Sequence, residues 1–195
     1  MDSARYHAFR IVFEFETFNL QLKSIRNAYY KKNNIASNDR KRAMVLSNEV
    51  IRWKKYLDAL IAPSLNKSIK KLPLEILCIL RLGYYEFFMD ESVPDHAVVN
   101  SWVNISKKVK KTNFSGLVNA VLRKAKKIEK QTILKSKDLA IQKSFSRWMV
   151  DNWSAQFGDL KTRQLLDHLN KPSLQDIRTN IPMDVSKEKL NQLGV

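Results

Sequence analysis

An all-α helical bundle over residues 1–130, followed by a short, incomplete α/β segment, is the fold class this sequence predicts. Three observations carry the prediction. Apolar residues recur three and four apart along most of the chain, the period of a helix with one buried face. Only four Gly and five Pro interrupt 195 residues, too few for the tight turns of a many-stranded barrel. Hydrophobic residues make up 44% of the chain, enough to bury a core.

The first helical region opens at Asp2-Ser3, with Ala8, Ile11, Val12, Phe15 and Phe18 on one stripe, and Lys31-Lys32-Asn33-Asn34 ends it. Asn38-Asp39 supplies N-capping chemistry for the next helix. That helix carries Leu46, Val50, Trp53, Leu57 and Leu60 and stops at Pro63. Pro73 opens a third helix as a first-turn proline. Its run from Leu74 to Phe88 is apolar on nearly all sides, which marks the most buried helix of the bundle. After the turn Asp90-Glu91-Ser92, Pro94 opens a helix with Val98, Trp102, Ile105 and Val109 in register. A loop through Asn113 and Ser115-Gly116 leads to a helix striped by Val118, Val121, Leu122, Ala125 and Ile128.

The texture changes near residue 130. Residues 129–143 are polar and linker-like. Met149, Trp153 and Phe157 then recur every four residues up to Gly158, and a helix with Leu165, Leu166 and Leu169 stops at Lys171-Pro172. Leu174 to Asn180 reads as a weak strand, and Ser186 is placed to cap a last helix. The domain division is therefore 1–130 and 131–195, with the second unit incomplete.

Charge follows the same division. Residues 1–150 carry 29 basic and 13 acidic residues, and residues 151–195 carry six of each. The formal net charge of +16 lies entirely in the first part, and a local excess of that size attracts a polyanion. Lys107, Lys108, Lys110 and Lys111 close one predicted helix, and Arg123, Lys124, Lys126, Lys127 and Lys130 line the next. Residues 107–137 hold eleven basic residues and one acidic residue, the footprint expected of phosphate contacts. Arg40-Lys41-Arg42 begins a helix, where positive charge opposes the dipole and implies a use for it. Arg52, Lys54 and Lys55 extend that stripe. A solvated lysine-rich face is the alternative reading of each run.

Other chemistry is excluded by what is missing. A single cysteine, Cys78, lies in the apolar run Ile76-Leu77-Cys78-Ile79-Leu80, which implies a buried, inert thiol. No apolar stretch approaches the length of a membrane span and no signal-peptide core opens the chain, so a cytoplasmic protein is expected. No metal-ligand spacing, phosphate loop or nucleophile triad is visible. His96 in its helix's first turn reads as a structural hydrogen-bonding residue, and Asp95 beside it as dipole compensation. Asn119 and Arg123, four apart, either touch RNA or knit a helix to a loop. Trp53, Trp102, Trp148 and Trp153 fall on apolar stripes and are expected in the core before they serve as stacking platforms.

Several stretches together resemble one family. Arg5-Tyr6-His7-Ala8, Asp39-Arg40 with Arg52, Ile79-Leu80-Arg81-Leu82-Gly83-Tyr84-Tyr85, Pro94-Asp95-His96-Ala97-Val98-Val99-Asn100 and Val118-Asn119-Ala120-Val121-Leu122-Arg123 are similar to the N-terminal part of bacterial rRNA cytosine-C5 methyltransferases of the RsmB (Sun/Fmu) type. The first domain of that family has the NusB fold. Ser144-Phe145-Ser146-Arg147-Trp148, Trp153 to Gly158 and Arg178-Thr179-Asn180 resemble the entry into its pre-catalytic segment. Ser146 stands where the family has Pro, Glu49 where it has Gly, and Ser101 where it has Glu.

The resemblance implies a domain that binds and orients small-subunit rRNA. The residues it and the charge pattern nominate are Arg5, Arg40, Lys41, Arg52, Lys107, Lys108, Lys111 and Arg123. It also implies S-adenosylmethionine as the cofactor of the full-length family, bound by a glycine-rich loop with a Pro-Cys nucleophile. Neither motif occurs here: Gly83, Gly116, Gly158 and Gly194 are far apart and Cys78 follows leucine. This chain is expected to hold no cofactor and no catalytic residue. A stand-alone NusB-like antitermination factor working with a ribosomal-protein partner is the alternative, and a protein-interaction bundle with a basic surface is a third.

Overall fold

The computed structural model describes residues 3–90, 93–109, 112–125, 138–171, 180 and 182–192. Seven helices build the bundle: α1 Ser3–Phe18, α2 Leu22–Lys32, α3 Ser37–Arg52, α4 Lys54–Ile61, α5 Leu74–Met89, α6 Asp95–Lys108 and α7 Ser115–Ala125. Short 3-10 turns at Ala62–Ser64, Ile69–Lys71 and Thr112–Phe114 connect them. A tail follows with α8 Leu139–Gln142, α9 Arg147–Phe157, α10 Asp159–Leu169 and α11 Met183–Gln192. No strand occurs among the described residues, and the weak strand expected over 174–180 lies outside them except for Asn180.

The first expected helical region is two helices. Asn19 takes a left-handed φ of 53°, a conformation asparagine tolerates better than most residues, and the chain reverses there into α2. The long helix expected from Asn38 to Pro63 is interrupted once. Trp53, at φ −93° and ψ 14°, separates α3 from α4 while its N–H still donates to the Glu49 carbonyl at 2.9 Å.

The core is one cluster drawn from all seven bundle helices. Helix α5 runs through its middle, with Ile76, Cys78 and every residue from Ile79 to Glu86 buried. Helices α1, α3, α4, α6 and α7 pack around it. Gly83 sets how closely α6 and α7 approach: a Cβ there would lie 2.6 Å from Leu122 Cδ2 and 3.3 Å from Trp102 Cδ1.

Two ionic clusters cross this core. The Glu86 carboxylate, fully shielded from solvent, accepts from Arg5 Nε at 3.0 and 2.7 Å, Arg42 Nη2 at 3.0 Å and Trp102 Nε1 at 2.7 Å. It thereby ties α1, α3 and α6 to α5. Arg42 also bonds Asp90. Arg81 grips Asp58 of α4 with two hydrogen bonds at 2.7 and 2.8 Å and pairs with Glu16 of α1 at 3.5 Å.

The tail has its own small cluster of Ala140, Val150 and Leu166, with Leu139, Phe145 and Trp153 packed against it. It docks on α4 where the Lys55 N–H donates to Ser144 Oγ at 3.0 Å and Lys55 Nζ to the Phe145 carbonyl at 2.9 Å. The tryptophan expectation needs correction here. Trp102 is fully buried and Trp53 and Trp153 are half-buried, but Trp148 is 70% exposed, because so small a cluster has no further surface to cover it.

Cys78 is buried as expected, and burial pushes its thiol up to about 12. The thiolate is the reactive form, so iodoacetamide at mildly alkaline pH should modify the urea-unfolded chain and leave the folded chain unmodified. Modification of both at similar rates would show that α5 opens readily.

Candidate nucleic-acid interface

Three helix ends meet on one side of the bundle. Helices α1 and α3 pack directly on each other and α2 lies against both, with the start of α1, the end of α2 and the start of α3 as neighbours. The hydrogen bond from Tyr30 Oη to the Arg40 carbonyl at 2.9 Å and the contact of His7 Nδ1 with Tyr29 Oη at 2.8 Å fix this arrangement. The C-terminal turn of α6 reaches the same side, where Lys108 Nζ lies 3.8 Å from the centre of the Tyr6 ring.

The rings form a ladder. Centroids of Tyr6 and His7 are 6.1 Å apart, those of His7 and Tyr29 5.7 Å, and those of Tyr29 and Tyr30 6.3 Å. A cation closes each end: Lys108 over Tyr6, and Arg40 over Tyr30 at 5.6 Å. Tyr6, His7 and Tyr30 are half-buried, so each keeps part of its side chain open to solvent. Beside the ladder runs a groove of about 440 Å³ lined by Tyr6, Arg10, Glu14, Tyr29 and Lys32. Aromatic faces interleaved with cations are the equipment of a surface that stacks bases and pairs phosphates.

The ladder's titrating group is His7, whose imidazole is held below its ordinary 6.5, first by burial and then by Lys108, with Asp39 opposing them. A histidine with a depressed folded value binds fewer protons in the folded state than in the unfolded one. Its contribution is neutral at high pH and destabilises the fold as pH falls through 6.5. The urea midpoint of the wild-type chain should therefore fall more between neutral and acid pH than that of His7→Gln. Equal falls would remove His7 as the cause.

The nominated residues are distributed as follows. Arg40, Lys41, Lys107 and Lys108 are exposed, and Arg40 and Lys108 cap the ladder. Arg40 Nε also donates to the Ile35 carbonyl at 2.9 Å, which holds its guanidinium over the ring. Arg52 is exposed at the far end of α3, paired with Glu49 at 3.0 Å. Arg123 is exposed on α7 and lines a separate groove of about 410 Å³ with His96, Val99 and Asn100. Lys111 lies outside the described residues. Arg5 is 8% exposed and engaged by Glu86 and by Ser101 Oγ at 3.3 Å, so its guanidinium works inside the protein rather than at the surface. Charge reasoning missed Tyr6, Arg10, Tyr29, Tyr30 and Lys32. The available signal was the pairing of Tyr29-Tyr30 with Lys31-Lys32.

The described residues do not fit the cofactor of the full-length methyltransferases. Gly83 is packed beneath Leu122 and Trp102, Gly158 joins two tail helices, and Cys78 is enclosed in α5. Among the described residues no group of three metal-ligating side chains occurs, and no helix is long and apolar enough to cross a membrane.

The helix order and packing define an all-α bundle domain of a particular type. The chain belongs to the NusB family, whose model matches residues 2–127. The probable ribosomal RNA small subunit methyltransferase B of Synechocystis sp. is 28% identical over 196 aligned residues, which cover 98% of this chain and 44% of that protein. The chain thus spans less than half the length of this relative. Transcription antitermination protein NusB of Mesorhizobium japonicum is 31% identical over 124 residues, 63% of this chain and 76% of that one. The crystal structure of antitermination factors NusB and NusE in complex with double-stranded RNA matches the fold with a TM-score of 0.60 at 24% identity, over 65% of this chain and 95% of the matched chain.

Proposed function

We propose that this chain is the RNA-binding N-terminal part of an S-adenosylmethionine-dependent rRNA cytosine-C5 methyltransferase of the cytoplasm. Residues 1–130 hold and orient small-subunit rRNA, and residues 131–195 lead toward a catalytic portion. The observation that carries this reading is the reach of the similarity. It continues through the neutral tail in the Synechocystis methyltransferase but covers only 63% of the chain in the antitermination protein. The RNA surface is the ladder from Arg40 and Lys41 to Lys107 and Lys108, with Arg52 and Arg123 as outlying contacts; Lys111 is assigned to RNA binding from its place in the basic run of the sequence. The family match over 2–127 favours one alternative, a NusB-like antitermination factor with a ribosomal-protein partner. A reading frame that continues past Val195 into a Pro-Cys motif decides for the methyltransferase.

Fluorescence anisotropy with a labelled single-stranded RNA tests the binding. If about five phosphates are engaged, log K falls against log salt with a slope of about −3.5. Reversal of Lys107, Lys108 and Lys111 to Glu weakens binding across RNA sequences alike, since phosphate contacts position rather than specify. Reversal of Lys161, Lys187 and Lys189 leaves it nearly unchanged. The two triple variants alter net charge equally, so equal losses would reduce the basic face to a solvated one.

A further inference from the structure

We propose that the groove between the Ala62–Leu72 segment and α7 is a docking site for an acidic protein segment carrying apolar anchor residues. The groove encloses about 490 Å³, within the range of pockets that take ligands. Its floor is aliphatic: Leu65 and Leu72 from one wall and Leu117 from the other, with Phe114 at the edge. These four side chains pack on the main core from below yet keep part of their surface open. Lys67 and Lys71 stand on one rim and Lys124 on the other, and among the described residues no acidic side chain lines the groove. An apolar floor inside a charged rim is the anatomy of a protein–protein contact, and the uniform sign of the rim selects an acidic partner.

The walls are held before any partner arrives. Tyr84, fully buried in α5, donates its hydroxyl to Ser64 Oγ at 2.9 Å and approaches the Val121 carbonyl at 3.3 Å. It thus fastens the Ala62–Ser64 turn and α7 to the same anchor. Lys124 Nζ reaches across the groove to the Ser64 carbonyl at 3.3 Å. A groove built in this way loses little freedom on binding.

The chemistry separates this groove from the aromatic ladder. Single-stranded nucleic acid is held by stacked rings and arginine, which the ladder supplies. Among the described residues the groove offers three leucines, one ring and no arginine. Leucine, isoleucine or phenylalanine side chains fill such a floor, and flanking aspartate or glutamate meets the lysines. The inference stands apart from the RNA reading, and either can fail without the other.

The test uses the full chain and two labelled probes in anisotropy titrations. One is a peptide in which leucine and phenylalanine alternate with aspartate; the other is a single-stranded RNA. Control peptides carry lysine for aspartate, or serine for the apolar residues. The acidic apolar peptide is expected to bind at least about tenfold more tightly than either control, a difference of 1.4 kcal/mol. Lys67→Glu with Lys71→Glu should weaken it by about tenfold or more. Ala120 lines the groove and is exposed, so Ala120→Trp fills the space without entering the core. It should weaken peptide binding by a similar factor and leave RNA affinity within about twofold. Three results would overturn the proposal: equal binding of all peptides, an Ala120→Trp variant that binds peptide normally, or one that loses RNA and peptide affinity together. The last would make the groove part of an RNA surface.

Discussion

Glu86→Gln is expected to lower the free energy of unfolding by about 3–5 kcal/mol, the range for breaking a buried charge pair by removing one partner. The substitution keeps the shape of the side chain, so it isolates charge and hydrogen bonding from packing. In the wild-type protein one carboxylate serves Arg5, Arg42 and Trp102 at distances of 2.7 to 3.0 Å. An amide offers a single acceptor oxygen and turns two donors toward other donors. Arg42 keeps Asp90 as its partner, whereas Arg5, itself buried, loses the carboxylate that its Nε contacts twice. Urea denaturation followed by circular dichroism measures the loss. A second substitution shows its origin: adding Arg5→Met removes the buried cation that faced the lost carboxylate and should recover part of the stability. A loss below about 1 kcal/mol for Glu86→Gln, or a further fall in the double variant, would contradict a charge-centred role.

The largest effect on binding is expected from the rings. Tyr6→Ala and Tyr30→Ala should each weaken single-stranded RNA binding by about 1–3 kcal/mol, the usual contribution of one stacked base. The phenylalanine variants at both positions should bind nearly as the wild type, because stacking needs the ring and not the hydroxyl. Trp148→Ala is the matched control: its ring is 70% exposed but lies in the tail, away from the ladder. If Trp148→Ala costs as much as Tyr6→Ala, the rings act as generic sticky surface and no ladder site exists. If all three leave affinity intact, RNA is held by charge alone.

Much of the fold was legible in the sequence because single helices announce themselves by period. The burial of α5 followed from a run apolar on all sides, and the inner stripes of α6 and α7 from Val98, Trp102, Ile105, Val118, Val121 and Leu122, all buried. The breaks were less visible. Asn19 ends α1 through a backbone conformation that no hydropathy pattern encodes, and Trp53 interrupts a stripe whose spacing continues through it. The site was legible only in its charges. Arg40 and Lys108 were nominated from runs of basic residues, but the rings joining them come from α1 and α2 and become neighbours only when the helices pack. Arg5 shows the converse limit: one arginine in a motif reads as a surface contact until its partner, 81 positions away, is placed beside it.

The small size of the tail's cluster has a mechanical consequence. Ala140, Val150 and Leu166 are its buried apolar members among the described residues, whereas the bundle core draws on seven helices. Cooperative stability scales with the apolar surface that opens together. The segment from Leu139 to Leu169, held to the bundle by Lys55 and by Ile141 packed on its core, is therefore expected to open locally before the bundle does. Its amides should exchange with deuterium well before those of α5. Opening of this kind breaks the two Lys55 hydrogen bonds and leaves the surface that the bundle presents unchanged.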